Sequence, residues 1–322
     1  MPWYPYTKLS AWEQFRMDLL LYFCKPPPVP LTAGQTEGDR AESHPGDKRI
    51  KIVCISDTHN SRPPIPDGDI LVHTGDLTND GTFDEMQAQL NWLGTMPHKY
   101  KLVVAGNHDK VLDPKFVMKN KRFDAGGKLE DLEWHDIKYL ENESVTVDLP
   151  HLGRSLKIYG CPQTPACGTW AFQHFRKDDV WKDTIPDDTD VLLCHGPPKG
   201  HLDDGDKGCP HLLREVRRAR PQLVVFGHIH EARGTEIFDH EDWDTYARDQ
   251  INMCNLPPGI LTILAIIIGL LFNRALQRLG LRGDRVTDMV KGRTSKLVNA
   301  ASMGRFGLRE NEEDGAGTVV YM

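Results

Sequence analysis

Five short apolar segments of this chain end in the same way, and this repeated ending constrains the fold more than any other feature. Each segment holds about four consecutive aliphatic or β-branched residues, a pattern typical of a strand covered on both faces. A tight turn with Asp, Asn or His follows at once. The segments with their endings are KIVCISDTH, DILVHTGD, KLVVAGNHD, DVLLCHG and QLVVFGHIH. In open α/β sheets, ligands bind beyond the carboxyl ends of the strands, so these polar residues stand at the usual place for chemistry.

The endings supply seven oxygen and nitrogen donors of the kind that bind divalent metals. They are Asp57, His59, Asp76, Asn107, His195, His228 and His230. One zinc or iron ion takes about four to six donors, so this set suits two ions that share a carboxylate. Cysteine is absent from the set, which argues against a structural zinc site and for Mn, Fe or Zn. A single Asp-x-His motif would more simply be a turn cap and a surface histidine, but the recurrence speaks against that interpretation.

The same blocks resemble a known family. Together they resemble the signature of the calcineurin-like metallophosphoesterases. The blocks that carry this resemblance are Asp57-x-His59, Gly75-Asp76, Gly106-Asn107-His108-Asp109, His195-Gly196 and Gly227-His228-x-His230. A closer resemblance, to metallophosphoesterase-domain proteins related to class III cyclic nucleotide phosphodiesterases, is carried by CISDTHN, GDLTNDG, AGNHD, YGCPQTP, HGPPKGHLD and VVFGHIHEARG. It covers about residues 50–235, and KLVNAAS looks like the closing strand of the family. The resemblance implies an α/β fold, a four-layer αββα sandwich of two mixed sheets.

The resemblance also implies a division of labour. One ion would take Asp57, His59, Asp76 and His230, and the other would take Asp76, Asn107, His195 and His228, with Asp76 bridging. Two ions roughly 3.5–4 Å apart can hold a bridging hydroxide and orient a phosphoryl group for in-line attack. His108 would donate a proton to the leaving oxygen or stabilise the phosphoryl charge. Asp109 would orient His108, although a turn-forming role fits this residue equally well.

These expectations favour a hydrolase that cleaves a small-molecule phosphodiester with two divalent ions. The preference for a diester rests on the resemblance alone, so a phosphomonoesterase is the first alternative. A membrane-associated binding or scaffold protein with a residual metal site is the second, and the complete donor set with His108 speaks against it. The net charge of −7 leaves no basic footprint for nucleic acid. Seven cysteines without a C-x-x-C spacing are typical of a reduced, intracellular protein.

The motifs predict one catalytic domain with additions. Residues 1–24 have apolar side chains at helical spacing and interspersed charges that exclude a signal peptide, which predicts an amphipathic helix. Residues 25–49 are rich in Pro, Gly and polar residues, which indicates a flexible linker. Residues 50–322 would form the metallophosphoesterase domain. Within it we predict helices over residues 82–93 and 209–219, and strands at ESVTVDL and RSLKIYG.

A long predicted loop between Cys161 and Trp181 carries three aromatic residues, Trp170, Phe172 and Phe175. Beside a metal centre, such rings could stack on a base or an aryl leaving group of the substrate. We favour a simpler interpretation, in which the rings cover the underside of the loop, because aromatic side chains mostly contribute buried area.

A hydrophobic insertion at about residues 256–294 interrupts the domain. Its core, Ile260–Phe272, is uncharged but shorter than the roughly 20 residues that a transmembrane helix needs. A single crossing would also separate the KLVNAAS and GTVVYM strands from the rest of the domain. Arginines follow at 274, 278, 282 and 285, and basic residues are attracted to anionic headgroups. We therefore predict peripheral or monotopic attachment of residues 256–285 to a cytosol-facing membrane, with a helix packed on protein as the alternative.

Overall fold

The computed structural model describes residues 49–120, 127–205, 207–240, 294–304, 307–308 and 317–322, all within one compact unit of the chain. The predicted helix at 1–24 lies outside these residues. The predicted linker at 25–49 and the predicted insertion at 256–294 also lie outside the described residues, apart from residues 49 and 294. Their boundaries therefore stay predictions.

We call the five polar strand endings the donor blocks, and the first three contain Asp57–His59, Gly75–Asp76 and Gly106–Asp109. The apolar segments that precede these three blocks form neighbouring strands of one sheet. In order across the sheet these strands are β15 (Thr318–Tyr321), β1 (Lys51–Ile55), β2 (Ile70–His73), β3 (Tyr100–Val103) and β4 (Ile137–Tyr139). Strands β1 to β4 are parallel, whereas β15 is antiparallel to β1. Because β1, β2 and β3 share a direction, the three donor blocks leave the sheet at the same edge.

The other two donor blocks, His195–Gly196 and Gly227–His230, follow strands of a second sheet. Its order is β11 (Gly234–Asp239), β12 (Thr294–Asn299), β10 (Leu223–Phe226), β9 (Val191–Cys194), β6 (Arg154–Cys161) and β5 (Glu143–Leu149). The four inner strands are parallel, and the edge strands β11 and β5 are antiparallel to their neighbours. The strands predicted at ESVTVDL and RSLKIYG are confirmed as β5 and β6, and KLVNAAS overlaps β12.

One hydrophobic core lies between the two sheets. Ile52 and Val72 enter it from the first sheet, and Leu193 and Val225 enter it from the second, all without solvent exposure. Complete burial of an aliphatic side chain contributes roughly 1.5–3 kcal/mol, so this core is the main force that holds the sheets together. The predicted αββα class is confirmed, with two mixed sheets and helices packed around them.

Helices cover the sheets from outside. They are α1 (Phe83–Gly94), α2 (Pro114–Lys119) and α3 (Pro210–Ala219), with single 3-10 turns at Lys110–Leu112, Leu129–Asp131 and His230–Ala232. Helix α1 packs on the first sheet and begins with a capping box, in which Thr82 and Glu85 each accept a backbone N–H of the other. Helix α3 lies beside the second sheet, where the Arg217 guanidinium is 4.7 Å from the Phe238 ring centroid. Both predicted helices are confirmed.

Short strands replace part of the predicted loop between Cys161 and Trp181. Strands β7 (Thr164–Pro165) and β8 (Gln173–His174) pair with each other and close this segment on itself. A further small pair is β13 (Met303–Gly304) with β14 (Gly307–Leu308). None of the helices in the described ranges is long and apolar enough to span a bilayer.

Candidate metal centre

The chain leaves β1 through a turn of left-handed residues. Asp57, His59 and Asn60 have φ angles of 54°, 44° and 66°, in a region that costs a non-glycine residue about 1–3 kcal/mol. The next block of the same sheet holds this turn. The Asp57 N–H donates to the Gly75 carbonyl over 2.9 Å, and the His59 N–H donates to the Asp76 carbonyl over 3.1 Å. Strain of this kind is typical of functional sites, and here it directs two polar side chains to the sheet edge.

The blocks after β2 and β3 lie so close together that glycine is required between them. A Cβ on Gly106 would be 2.2 Å from Asp76 Oδ1, and a Cβ on Gly75 would be 2.6 Å from the Gly106 nitrogen. Asp76 itself has a φ of 55°. Its carboxylate accepts the backbone N–H of His108 over 2.7 Å. The close approach therefore places a buried carboxylate between the second and third blocks.

The second sheet brings His195 to the same place. This side chain is completely buried directly after β9. Its Nδ1 lies 2.8 Å from the carbonyl of Thr74, which can only accept, so Nδ1 donates. Its Nε2 then faces two groups of the first sheet, Asn107 Oδ1 at 3.1 Å and Asp76 Oδ2 at 3.4 Å. The strand ends of both sheets therefore meet at this histidine.

The block after β10 meets the first sheet at Asp57. The backbone N–H of His228 donates to the Asp57 carboxylate over 3.0 Å, and His230 Nε2 lies 3.1 Å from Asp57 Oδ1. His228 has a left-handed φ of 67°. A Cβ on Gly227 would be 2.0 Å from Asp57 Oδ2 and 2.1 Å from Ser56 Oγ. Only glycine therefore fits at this junction of the two sheets.

Six of the seven predicted donors form two groups, and the seventh, Asn107, lies 3.1 Å from His195 Nε2 of the second group. The donor atoms of Asp57, His59 and His230 lie within 4.8 Å of one another, and so do those of Asp76, His195 and His228. Asp76 Oδ2 is 3.8 Å from His59 Nε2 and 3.4 Å from His195 Nε2, so it faces both groups. Imidazoles, carboxylates and one amide oxygen are ligands that suit Mn, Fe and Zn. These residues therefore fit a centre for divalent metal ions.

A sequence comparison decides the family. The family model for the calcineurin-like phosphoesterases matches residues 50–232, more than half of the chain. The chain belongs to this family. The resemblance seen in the sequence motifs is thereby confirmed, and the donor groups lie at the strand ends of a phosphoesterase domain.

Individual relatives of this phosphoesterase differ in the share of their own length that the chain matches. The human metallophosphoesterase domain-containing protein 1 is 38% identical over 231 residues, which cover 65% of this chain and 68% of that protein. A UPF0046 protein of Caenorhabditis elegans is 38% identical over 201 residues, 59% of this chain and 66% of that protein. A protein of Emericella nidulans named probable rhamnogalacturonate lyase C is 46% identical over 194 residues, which cover 59% of this chain. The chain spans only 18% of the length of that protein.

The imidazoles keep both carboxylates of the phosphoesterase centre ionised. Burial acts to raise the pKa of Asp57, but the hydrogen bond to His230 and the charges of His195 and His230 lower it to about 2. Burial acts in the same way on Asp76, and His195 brings the pKa of this carboxyl well below its usual range. For His195 itself, burial acts to lower the pKa, but Asp76 raises it to about 9. Ionised carboxylates are the form that binds metal.

His108 lies beside the donors, with a ring nitrogen within 4.8 Å of donor atoms of His59 and Asp76. Its Nδ1 is 2.6 Å from the carbonyl oxygen of Asn79, and a carbonyl only accepts, so Nδ1 donates. The ring stacks on Trp170, with 4.3 Å between the ring centroids. Because Nδ1 already donates, a proton transferred from this histidine would be the one that Nε2 carries in the doubly protonated ring.

Asp109 is completely buried and contacts backbone rather than the imidazole of its neighbour. Its carboxylate accepts the N–H groups of Leu77, Thr78 and Gly106, over 3.3, 3.1 and 2.8 Å, and the Thr78 hydroxyl over 2.9 Å. Burial, with the nearby charge of Asp76, raises the pKa of Asp109 to about 6. Among the described hydrogen bonds of Asp109, none reaches the His108 ring. Its geometry is that of a residue that joins the second and third donor blocks.

The three aromatic residues of the β7–β8 segment have three different environments. Phe172 is buried in the core on the α1 side of the first sheet, as the interpretation of a covered underside predicted. Trp170 is partly buried and stacks on His108 instead. Phe175 is 67% exposed. The favoured interpretation therefore agrees with the burial of Phe172 and is wrong for Phe175, whereas the Trp170 indole lies beside both Gly168 of its own segment and His108.

His73 is a buried residue of the site that is not among the predicted site residues. Its Nδ1 accepts the Gly75 N–H over 3.3 Å, so in the neutral ring Nε2 carries the proton and donates to Thr58 Oγ1 over 3.0 Å. Burial lowers its pKa to about 3, which keeps it neutral. The ring connects the turn after β1 to the turn after β2. A histidine as the last residue of an apolar strand, directly before a Thr-Gly-Asp sequence, is the signal that could have identified it.

Proposed function

We propose that this phosphoesterase hydrolyses a phosphodiester with two divalent ions held in one centre. The observation that carries the proposal is the position of Asp76 Oδ2, within 3.8 Å of an imidazole nitrogen from each donor group. One ion would be held by Asp57, His59, Asp76 and His230, and the other by Asp76, Asn107, His195 and His228. Mn, Fe and Zn suit these ligands. When bound, such a pair polarises the phosphoryl group and lowers the pKa of water, which supplies a nucleophile at neutral pH.

The protein residues have separate roles in this proposal. Asp57 and Asp76 supply the negative charge of the centre, and their low pKa values keep that charge at neutral pH. In its doubly protonated form His108 donates the Nε2 proton to the leaving oxygen and keeps the Nδ1 proton, which is hydrogen-bonded to the Asn79 carbonyl. Asp109 supports the centre through backbone N–H groups of the second and third blocks. A role of His108 in charge stabilisation is the alternative, and it predicts no dependence on the leaving group.

The choice of a diester rests on the sequence resemblance and is tested by a substrate pair. Chelated protein is reloaded separately with Mn, Fe(II) and Zn, and bound metal is measured per chain. Turnover of bis(4-nitrophenyl) phosphate is then compared with that of 4-nitrophenyl phosphate. Two equivalents of metal and faster diester cleavage support the proposal. Faster monoester cleavage indicates a phosphomonoesterase, and full metal loading without turnover of either indicates a binding protein.

A matched substitution controls for nonspecific effects in this experiment. His151 is a histidine whose side chain is 54% exposed and pairs with Asp69, apart from the donor groups. His151→Ala is expected to keep the metal content and turnover of the unmodified chain. A similar loss in His151→Ala and in a donor variant would count against a specific metal centre.

We also propose that residues 256–285 attach the chain to a membrane surface from one side. This proposal rests on the short apolar run and the arginines that follow it. The test is membrane fractionation of the full chain beside a version that lacks residues 256–279. Equal solubility of the two would contradict membrane attachment, and tags at the two chain ends on opposite membrane faces would contradict one-sided attachment.

A further inference from the structure

One wall of the centre is formed by Trp170, whose indole ring lies against the His108 imidazole. The ring centroids are 4.3 Å apart and the ring planes differ by 30°. We propose that Trp170 is a positioning residue that holds the His108 ring in the orientation for proton transfer to the leaving group. This inference rests on the proposed role of His108 as proton donor.

Contacts on three sides hold the His108 ring. The Nδ1 hydrogen bond to the Asn79 carbonyl fixes one corner of the ring, but a single hydrogen bond leaves the ring free to tilt about that corner, since the terminal torsion of histidine is broad. The edge-on contact with His59, at 4.8 Å between centroids, restricts a second side. The face of Trp170 removes the remaining tilt. Loss of the indole would therefore leave Nε2 able to swing away from the leaving oxygen.

Trp170 can position His108 because its own segment is docked on the strand-end block that contains His108. The N–H of Ala171 donates to the Asn107 carbonyl over 3.2 Å. The N–H of Phe172 donates to the Asp113 carboxylate over 2.9 Å. Both acceptors lie within five residues of His108 in sequence. These two contacts fix the backbone beside Trp170 against the block that contains His108, so the indole projects from a fixed position.

Lys110 provides a further contact to the indole. Its ammonium lies 4.7 Å from the Trp170 ring centroid, within the range of a cation–π interaction. The same ammonium donates to the Asp80 carbonyl over 2.9 Å, which fixes its position. Both His108 and Lys110 therefore already contact this indole ring. Such contacts favour a positioning role over a platform on which a planar group of the substrate would stack.

The test compares Trp170 variants on methyl aryl phosphodiesters whose aryl groups range from 4-nitrophenol to phenol. All these probes carry one aromatic ring, so stacking on substrate would affect them alike, whereas the need for a proton rises as the leaving group becomes poorer. With the Mn-loaded full chain, Trp170→Ala is expected to lower kcat for the phenyl ester about 10- to 100-fold, a part of the 10²–10⁴-fold that an intact general acid contributes. The 4-nitrophenyl ester should lose less than about 3-fold. KM and metal content should not change.

Three further variants complete the test. Trp170→Phe keeps a flat aromatic face and should recover most of the lost kcat, whereas Trp170→Leu keeps apolar volume without that face and should not. Phe175→Ala removes the exposed ring of the same segment and should leave all kinetic constants unchanged. If Trp170→Ala does not fold, the comparison of the Phe and Leu variants decides the outcome.

Each contrary result has a defined meaning. A higher KM with unchanged kcat would assign Trp170 to substrate binding and overturn the proposal. An equal loss of kcat for all leaving groups, or a loss of metal, would also overturn it. His108→Ala is measured in parallel. If that variant shows no dependence on the leaving group, the proposed function of His108 fails. If it does and Trp170→Ala does not, only the positioning role fails.

Discussion

The two sheets contribute different chemistry to the same centre. The first sheet supplies both carboxylates and the amide of the donor set, on Asp57, Asp76 and Asn107, whereas the second sheet supplies only histidines. In the first sheet, backbone hydrogen bonds join one donor block to the next. The blocks of the second sheet reach the first mainly through the Asp57 carboxylate and the His195 ring. The negative charge thus lies on one sheet and most of the imidazoles on the other, so metal binding should depend on how the sheets pack.

The largest effect is expected for the carboxylate that faces both groups. Asp76→Ala should lose metal at both positions together with all turnover, a larger loss than the 10–100-fold that follows removal of a supporting contact. The measurement is bound metal per chain, by elemental analysis. Asp188→Ala is the control, since that carboxylate is 69% exposed and pairs with Lys157. Two full equivalents of metal in Asp76→Ala would contradict the bridging position.

The next effect should separate the two groups. His195→Ala removes a donor from the group of Asp76, and His230→Ala removes one from the group of Asp57. Each variant is expected to retain about one equivalent of metal, because the other group keeps all its donors. A titration that follows metal binding by calorimetry would show one class of site lost in each variant. Loss of both equivalents in each would mean that the groups do not bind independently.

A smaller effect is expected at the junction of the sheets. In Gly227→Ala the new Cβ would be 2.0 Å from Asp57 Oδ2, so the backbone must shift and the block after β10 must move away from the first sheet. Such overpacking typically costs about 1–3 kcal/mol of the free energy of unfolding. Urea denaturation of the metal-free protein measures this loss. The control is Gly153→Asn, at a position with open space and a φ of 64° that Asn tolerates. Equal stability of both variants would refute the close contact.

The smallest effect concerns the contact inside the first sheet. His73→Ala removes no donor but breaks the link between the turns after β1 and β2. Metal affinity should fall about 10-fold, at the lower end of the range for supporting contacts, with two equivalents still bound at saturation. His98→Ala is the control, because that histidine is also buried but contacts the Pro66 carbonyl. An unchanged affinity in His73→Ala would show that backbone hydrogen bonds alone hold the two turns.

Local patterns in the sequence were enough to predict the strands that precede the donor blocks, the two longer helices and the candidate donor set. Apolar runs with sharp polar endings indicate strands and their carboxyl ends, and the capping signals of α1 indicate a helix start, because these preferences act over a few neighbouring residues. The types of side chain at the endings also indicate metal chemistry without any structure. The α/β class, the family and the candidate donors between Asp57 and His230 can therefore be predicted without a structure.

The contacts between these residues depend instead on how the two sheets pack. His195 contacts Asn107, which is 88 positions away in the sequence, and His228 contacts Asp57, which is 171 positions away. No local preference specifies such pairs, since they depend on the register of two sheets that pack through a shared core. For the same reason only the structure shows that Asp109 accepts backbone N–H groups and not the His108 ring, and that the Trp170 ring stacks on His108. Side-chain identity predicts which groups can react, and packing decides which of them meet.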